Sequence, residues 1–241
     1  MLPALQSRRR HIQLLIIKQG LPDDKIVDLL AEAERQKIPI QRLPKNEIDA
    51  MAFGKSHGGV LALCSPKPPA SMDELIHIVE TRTAPALLLL LEGVEDSQNL
   101  GYTLRSAEAL GAQSLLLKKH LWDFDETAAS RASSGAYERM PIVKIERGGH
   151  ELEILRRKQI KIWGCIAGAK RTCYEVDLTG PTLLAIGGEK RGLSAAVREQ
   201  CDGFLRIPMH TNATSLSLSH AACILLAEAR RQRRETVISE Q

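Results

Sequence analysis

Apolar and polar positions along this 241-residue chain fall into two regions with different rhythms. In the first, the pattern changes every few residues. Ile12–Ile17 reads as a strand, Asp23–Gln36 as an amphipathic helix, Ile38–Leu43 as a strand, Asn46–Ala52 as a short helix and Gly59–Cys64 as a strand. Together they predict a compact α/β/α unit. Ser65-Pro66-Lys67-Pro68-Pro69-Ala70-Ser71 is proline-dense and polar, the composition of a stiff linker. Past a connecting segment around Met72–Thr83, short runs near Ala86–Leu91, Ser114–Lys118, Ile142–Ile145, Ile160–Ile166, Thr182–Ile186 and Phe204–Ile207 alternate with helical patterns. Continuously apolar strands separated by helices predict a largely parallel sheet covered on both faces. The expected divisions are residues 1–65 for the front domain, 66–83 for the linker and connecting segment, and 84–241 for the larger α/β domain.

Three of these strands run into polar segments suited to chemistry. Leu87–Leu91 is followed by Asp96-Ser97-Gln98-Asn99-Leu100-Gly101, read as a polar turn, and then by a helical pattern from Tyr102 to Gly111 that carries Arg105. Polar turns at the carboxyl ends of buried strands are where α/β proteins place ligands. Asn99 offers an amide and Arg105 a planar cationic fork, and both are expected to face one cleft above the strand. Leu183–Ile186 leads into Gly187-Gly188-Glu189-Lys190-Arg191-Gly192-Leu193-Ser194, whose paired glycines let backbone approach a ligand closely. A helix over Ser194–Cys201 follows. Leu205-Arg206-Ile207-Pro208-Met209-His210 leads through a polar loop to Thr214-Ser215-Leu216-Ser217-Leu218-Ser219-His220 and a long helix, with Ser215 or Thr214 as the expected cap.

Composition narrows the function classes. Hydrophobic content of 44% and charged content of 26% are ordinary for a globular protein. Five scattered cysteines without a CxxC read as buried thiols in a reducing compartment, and the seven histidines show no metal-ligand spacing. No apolar run is long enough to span a bilayer, and Met1–Gly20 lacks the features of a signal peptide, so a cytoplasmic protein is expected. A net charge of +4 is mild, but Arg8-Arg9-Arg10 and Arg230-Arg231-Gln232-Arg233-Arg234 cluster it. Such clusters suit a phosphate backbone, although cations ending a helix also complement its dipole. Aromatic content of 3% argues against a base-stacking platform. Gly54-Lys55-Ser56 lacks the earlier glycine of a P-loop, and the glycines after Gly187 do not fit a dinucleotide fingerprint.

The three polar segments, in this order and at these separations, resemble the motifs of the SpoU (TrmH-type) RNA 2′-O-ribose methyltransferases of the SPOUT superfamily. The resemblance runs from about Leu87 to Ala229 and takes in Ala132-Ser133-Ser134-Gly135-Ala136 before Met140-Pro141-Ile142, a helix-to-strand connection. Residues before about Pro66 are similar to the small substrate-binding domain that many members carry in front, with Ser56-His57-Gly58-Gly59-Val60 resembling its closing strand. The resemblance implies an α/β fold whose parallel sheet ends in a deep C-terminal trefoil knot. It implies S-adenosylmethionine as cofactor, a homodimer with each site near the subunit interface, and no metal. The implied substrate is RNA, expected to be large-subunit ribosomal RNA. A tRNA 2′-O-methyltransferase, or a non-catalytic RNA- or ribosome-binding protein on the same fold, is the alternative.

By the same resemblance the catalytic residues are Arg105, Asn99, Glu189 and Ser215, with Arg105 acting on the 2′-hydroxyl. Guanidinium normally stays protonated, so Arg105 either has a greatly lowered pKa or serves by binding phosphate and stabilising an alkoxide. Cofactor contacts are expected from Gly187, Gly188, Ile207, Met209, Leu216 and Ser217. The third motif usually reads Ser-Leu-Asn, and here it is Ser215-Leu216-Ser217. Serine is shorter and has one donor in place of two, so it is expected to preserve activity through a water, through Arg105 or through a loop carbonyl, the alternative being a weakened site.

Overall fold

The computed structural model describes residues 1–52, 57–118, 124–188, 190–210 and 215–239. Two compact units divide the chain, Met1–Pro68 and Pro69–Gln241.

In the first unit a helix α1 (Leu2–Ser7), which the hydrophobic pattern did not suggest, precedes strand β1 (Ile12–Lys18). The expected helix over Asp23–Gln36 begins as a 3-10 turn (Asp23–Ile26) and becomes α-helical only at Val27, giving α2 (Val27–Arg35). Then come β2 (Ile40–Leu43), α3 (Lys45–Met51) and β3 (Val60–Cys64). The sheet order is β2-β1-β3, with β1 parallel to β2 and antiparallel to β3. Alternate residues Leu15 and Ile17 of β1 meet Leu29 and Ala33 of α2 and Leu5 of α1 in one core. Spacing of two on the strand and four on the helix brings these side chains onto facing surfaces.

Of the basic triplet, Arg10 donates to the Ser65 carbonyl (2.9 Å) and so ties the start of β1 to the end of β3. Arg8 sits in the left-handed conformation that ends α1 and is exposed.

The second unit opens with α4 (Met72–Thr81), so the expected connecting segment is mostly helix. Ser71 caps it by accepting from the Glu74 amide (3.0 Å). Its Leu75 is fully buried with the core of this unit. There follow β4 (Leu87–Glu92), α5 (Ser97–Ala109), β5 (Ser114–Lys118), α6 (Glu126–Ala132), α7 (Ala136–Arg139), β6 (Ile142–Ile145), α8 (Gly149–Arg157), β7 (Lys161–Cys165), β8 (Arg171–Thr172), β9 (Thr182–Gly187), α9 (Ala195–Arg198), β10 (Gly203–Arg206) and α10 (Leu218–Ser239). The short α7 interrupts the expected helix-to-strand connection, and the two-residue β8 had no sequence signal.

The seven strands are ordered β6-β5-β4-β9-β7-β10-β8, and every pair is parallel. Helices cover both faces, which is why β4 is apolar from Leu87 to Leu91, with Glu92 ending it. Leu87, Leu89 and Leu91 belong to one core and Leu88 and Leu90 to the other. Each of the five is at most 1% exposed, and burying each stabilises the fold by about 1.5–3 kcal/mol relative to exposure. Because the strands are parallel, the carboxyl ends of β4, β9 and β10 lie along one edge of the sheet. The polar segments singled out in the sequence leave from that edge.

Among the C-terminal arginines, Arg233 is not a free cation. It donates to the carbonyls of Pro85 (2.7 Å), Ala86 (3.0 Å), Leu178 (3.0 Å) and Gly180 (2.8 Å), clamping α10 to the amino ends of β4 and β9. Burial, with the Arg230 charge adding, pulls its pKa down to about 10. Arg231 pairs with Glu228 (2.8 Å), whereas Arg230 and Arg234 are exposed.

Candidate functional site at the carboxyl edge of the sheet

Asp96 decides the geometry of the first segment. Its carboxylate accepts from the amides of Gln98 (3.0 Å) and Asn99 (3.2 Å), which makes it the N-cap of α5. The helix therefore starts at Ser97, and the stretch expected to be a turn is its first turns. Gly101 lies inside the helix and serves packing. A Cβ there would sit 2.5 Å from the Ala132 Cβ and 2.6 Å from the Ala129 carbonyl oxygen of α6.

Within α5, Asn99 and Arg105 are held apart. At about 100° per residue, six positions place their side chains about 120° apart around the helix. Asn99 is half-buried toward α10, where its Oδ1 accepts from the Ser219 hydroxyl (3.1 Å). Arg105 is exposed, without a hydrogen bond or ion pair among the described residues, and shares its solvent-facing stripe with Gln98 and Tyr102. The structure joins Asn99 to the third segment but does not bring Arg105 to Asn99.

The glycine turn after β9 is built by backbone meeting backbone. A Cβ on Gly187 would lie 2.1 Å from the Gly192 carbonyl carbon, and one on Gly188 would lie 2.7 Å from the Gly93 carbonyl oxygen. Gly192, at φ 62°, closes the turn by donating its amide to the Gly188 carbonyl (2.9 Å). Both glycines of the pair are thus needed by the chain's own crossing, not only by a ligand.

A buried polar cluster that the sequence reading overlooked anchors this turn to β4. Lys118 Nζ donates to Glu92 Oε1 (2.6 Å) and to Ser194 Oγ (2.6 Å), while the Ser194 amide donates to Glu92 Oε2 (2.9 Å). Burial pushes the Glu92 carboxyl up, but the bonds from Lys118 and Ser194 outweigh it and hold the group below the usual carboxylate range. The available signal was register: Glu92 and Lys118 end adjacent parallel strands and face each other across them. Beside them, Val94, Asp96, Leu100, Leu117, Lys118 and Phe124 line a small hollow at the carboxyl ends of β4 and β5. Ser194 precedes a helix of only four residues, shorter than expected.

In the third segment Ile207 packs against the larger core, and Met209 and Leu216 are half-buried. The cap of α10 is Ser217, not Ser215, which is exposed. The Ser217 carbonyl accepts from the Ala221 amide (3.0 Å), and its hydroxyl meets His220 Nδ1 (2.5 Å) and Ser219 Oγ (3.2 Å). That hydroxyl also accepts from the His220 amide (3.5 Å), so its partners lie within its own helix turn and do not include Arg105 or a loop carbonyl. Glu189 and Thr214 lie outside the described residues.

Elsewhere, Cys64 is exposed and Cys173 buried, and burial raises the Cys201 thiol to about 11. Among the described residues no cluster of three or more His, Cys, Asp or Glu could hold a metal ion, and no helix is long and apolar enough to cross a membrane.

Comparison with known proteins decides the lineage of this edge. Residues 86–227, which contain all three segments, match the SpoU rRNA Methylase family. The chain belongs to that family. Residues 2–70 match the RNA 2′-O ribose methyltransferase substrate-binding domain. Among curated SpoU relatives, the 23S rRNA (guanosine-2′-O-)-methyltransferase RlmB of Xylella fastidiosa is 32% identical over 95% of this chain and 92% of its own length. The RlmB of Photobacterium profundum is 35% identical over 93% and 91%. Among solved structures, the SpoU methyltransferase AviRb from Streptomyces viridochromogenes in complex with AdoMet superimposes with a TM-score of 0.78 at 26% identity, covering 97% of this chain and 87% of that one. The α/β architecture with a parallel seven-stranded sheet is that of the SpoU methyltransferases.

Proposed function

We propose that this protein transfers a methyl group from S-adenosylmethionine to a ribose 2′-hydroxyl of large-subunit ribosomal RNA. One observation carries the reading: the first and third motif segments meet through Ser219 and Asn99 at the carboxyl edge of the sheet, with the glycine turn of β9 beside them. The named activities of the RlmB relatives, matched over nearly their full length, support the substrate class.

The residues present fit the cofactor. An adenosyl group needs backbone donors and acceptors in an apolar slot. Ile207, Met209 and Leu216 are half-buried apolar side chains that would wall such a slot, and Gly187 and Gly188 place no side chain over the turn. S-adenosylmethionine, when bound, supplies the methyl group on a positively charged sulfonium. Leu216 and Ser217 would contribute the remaining contacts to it. Arg105 is a cation and a donor, so its part is to bind the phosphate beside the reacting ribose and to stabilise the oxyanion that develops as the hydroxyl loses its proton. Asn99 orients the ribose, and Glu189, placed by sequence alone, holds the arginine or ribose side. Ser215 is exposed and so accessible to RNA.

Two features of the family belong to this reading. One is the deep knot, supported by the path of the chain, in which β9 inserts between β4 and β7 before β10 returns beyond β7. The other is a homodimer, supported by the exposed stripe of Tyr102 and Arg105 on α5. The front unit would then present RNA to the site, and the protein would work in the cytoplasm, where ribosomal RNA is assembled.

The test is a map of 2′-O-methyls in total RNA from cells with and without this gene, alongside calorimetry of the purified protein with S-adenosylmethionine. Loss of one methylation in large-subunit rRNA, together with heat of binding, is expected. An unchanged map and no heat would remove the enzyme reading.

A further inference from the structure

At the start of α10 a line of side chains connects solvent to the first motif, and counting its protons gives it a direction. Ser219 Oγ donates to Asn99 Oδ1 (3.1 Å), so the single proton of that hydroxyl is committed. The Ser217–Ser219 contact (3.2 Å) therefore needs Ser217 as donor. With its own proton spent, Ser217 can only accept from His220 Nδ1, 2.5 Å away. Donation runs one way, from His220 Nδ1–H through Ser217 and Ser219 to Asn99, and bonds aligned in this manner polarise one another.

We propose that His220 is a positioning residue, whose Nδ1 proton sets this direction and so decides which end of the Asn99 amide faces the site. With Nδ1 protonated, Asn99 turns its oxygen toward Ser219 and presents its two N–H donors outward. With Nδ1 bare, Ser217 donates to the ring, Ser219 donates to Ser217, and Asn99 must supply an N–H inward and present its carbonyl instead. The device rests on the methyl-transfer reading only for its purpose, which is to hold Asn99 as a donor to the ribose. The arrangement also accounts for a serine at position 217: a hydroxyl can accept and donate at once, which a link in a chain requires.

The decisive measurement is the 15N spectrum of histidine-labelled protein, with His220 assigned by comparison with His220→Leu. A protonated, pyrrole-type Nδ1 is expected, and a bare, pyridine-type Nδ1 would overturn the proposal. The second arm uses tritiated S-adenosylmethionine and ribosomal RNA from cells lacking the gene. His220→Leu should lower kcat by about tenfold, with RNA KM and cofactor affinity within about twofold of wild type, the scale of one lost hydrogen bond. In His220→Asn a side-chain N–H can stand near the Nδ1 position, so kcat should stay within about threefold of wild type. Wild-type kcat in His220→Leu, or equal impairment of the two variants, would overturn the proposal. A wild-type protein that neither binds the cofactor nor labels the RNA defeats the methyl-transfer reading instead, and the 15N arm then judges the relay alone.

Discussion

Replacing Glu92 by glutamine tests whether the buried cluster holds the glycine turn in place. The side chains of Glu92 and Lys118 are only 6% and 11% exposed, and Ser194 completes the ring of bonds. Glutamine keeps the volume but not the chemistry. Whichever way its amide is turned, an NH2 group faces either the Lys118 ammonium or the Ser194 amide, both of them donors. Leaving a buried charge without its partner costs about 3–5 kcal/mol, a large part of a typical stability of about 5–15 kcal/mol. For a unit of this size that is a fall in Tm of roughly 6–20 °C. Both tryptophans, Trp122 and Trp163, belong to the second unit, so their fluorescence during denaturation follows the unit in question. The carboxyl of Glu92 is held below its ordinary value, so its contribution is present above the unfolded carboxylate pKa and is lost as pH falls through the lower folded one. The gap between wild type and Glu92→Gln should be constant near neutral pH and close below about pH 4. A double variant, Glu92→Leu with Lys118→Met, removes both charges and should be more stable than Glu92→Gln. A double variant no more stable than the single one, or a loss under about 1 kcal/mol in Glu92→Gln, would refute the argument.

Other expectations follow from the same geometry. Gly187→Ala drives a methyl into the Gly192 backbone, 2.1 Å away, and should weaken cofactor binding by at least about tenfold in calorimetry; unchanged affinity would detach the turn from the cofactor. Arg105→Lys should lose about a hundredfold or more in turnover with cofactor affinity intact, because a point charge lacks the planar fork, and near-normal turnover would count against Arg105. Arg233→Met should destabilise the second unit by about 2–3 kcal/mol through its lost carbonyl partners without changing the salt dependence of RNA binding. Neutralising Arg8, Arg9 and Arg10 together should make that salt dependence shallower, and an unchanged slope would exclude the triplet from the RNA footprint.

Much of the second unit was legible because parallel strands buried on both faces must be apolar throughout. Leu87–Leu91 and Thr182–Ile186 announce themselves for that reason, and the family follows from the segments they lead into. What the pattern hides is whatever depends on partners distant in sequence. Lys118 and Glu92 each read as a polar residue ending a strand, and only the register places them opposite one another. Arg233 read as part of a basic run, yet its fork is filled by four carbonyls from separate stretches of the chain. Charge along a chain does not reveal which cations the fold consumes.

The site turned on where one helix begins. With Asp96–Gly101 as a loop, Asn99 and Arg105 would be free to converge on one ligand. With Asp96 as the cap, helical geometry separates them by about 120°. Asn99 is then held inward by Ser219 while Arg105 faces solvent. The signal for the cap was present: an aspartate followed at once by Ser97 and the periodic positions Leu100, Thr103, Leu104 and Ala107, all buried. A ribose that engaged both side chains, as proposed, would reach around the exposed side of α5. On the proposed reading, the 2′-hydroxyl would approach Arg105 from solvent and Asn99 from the α10 side, and a surface outside this helix would complete the pocket. Tyr102, 49% exposed on the same stripe, marks where that surface would rest.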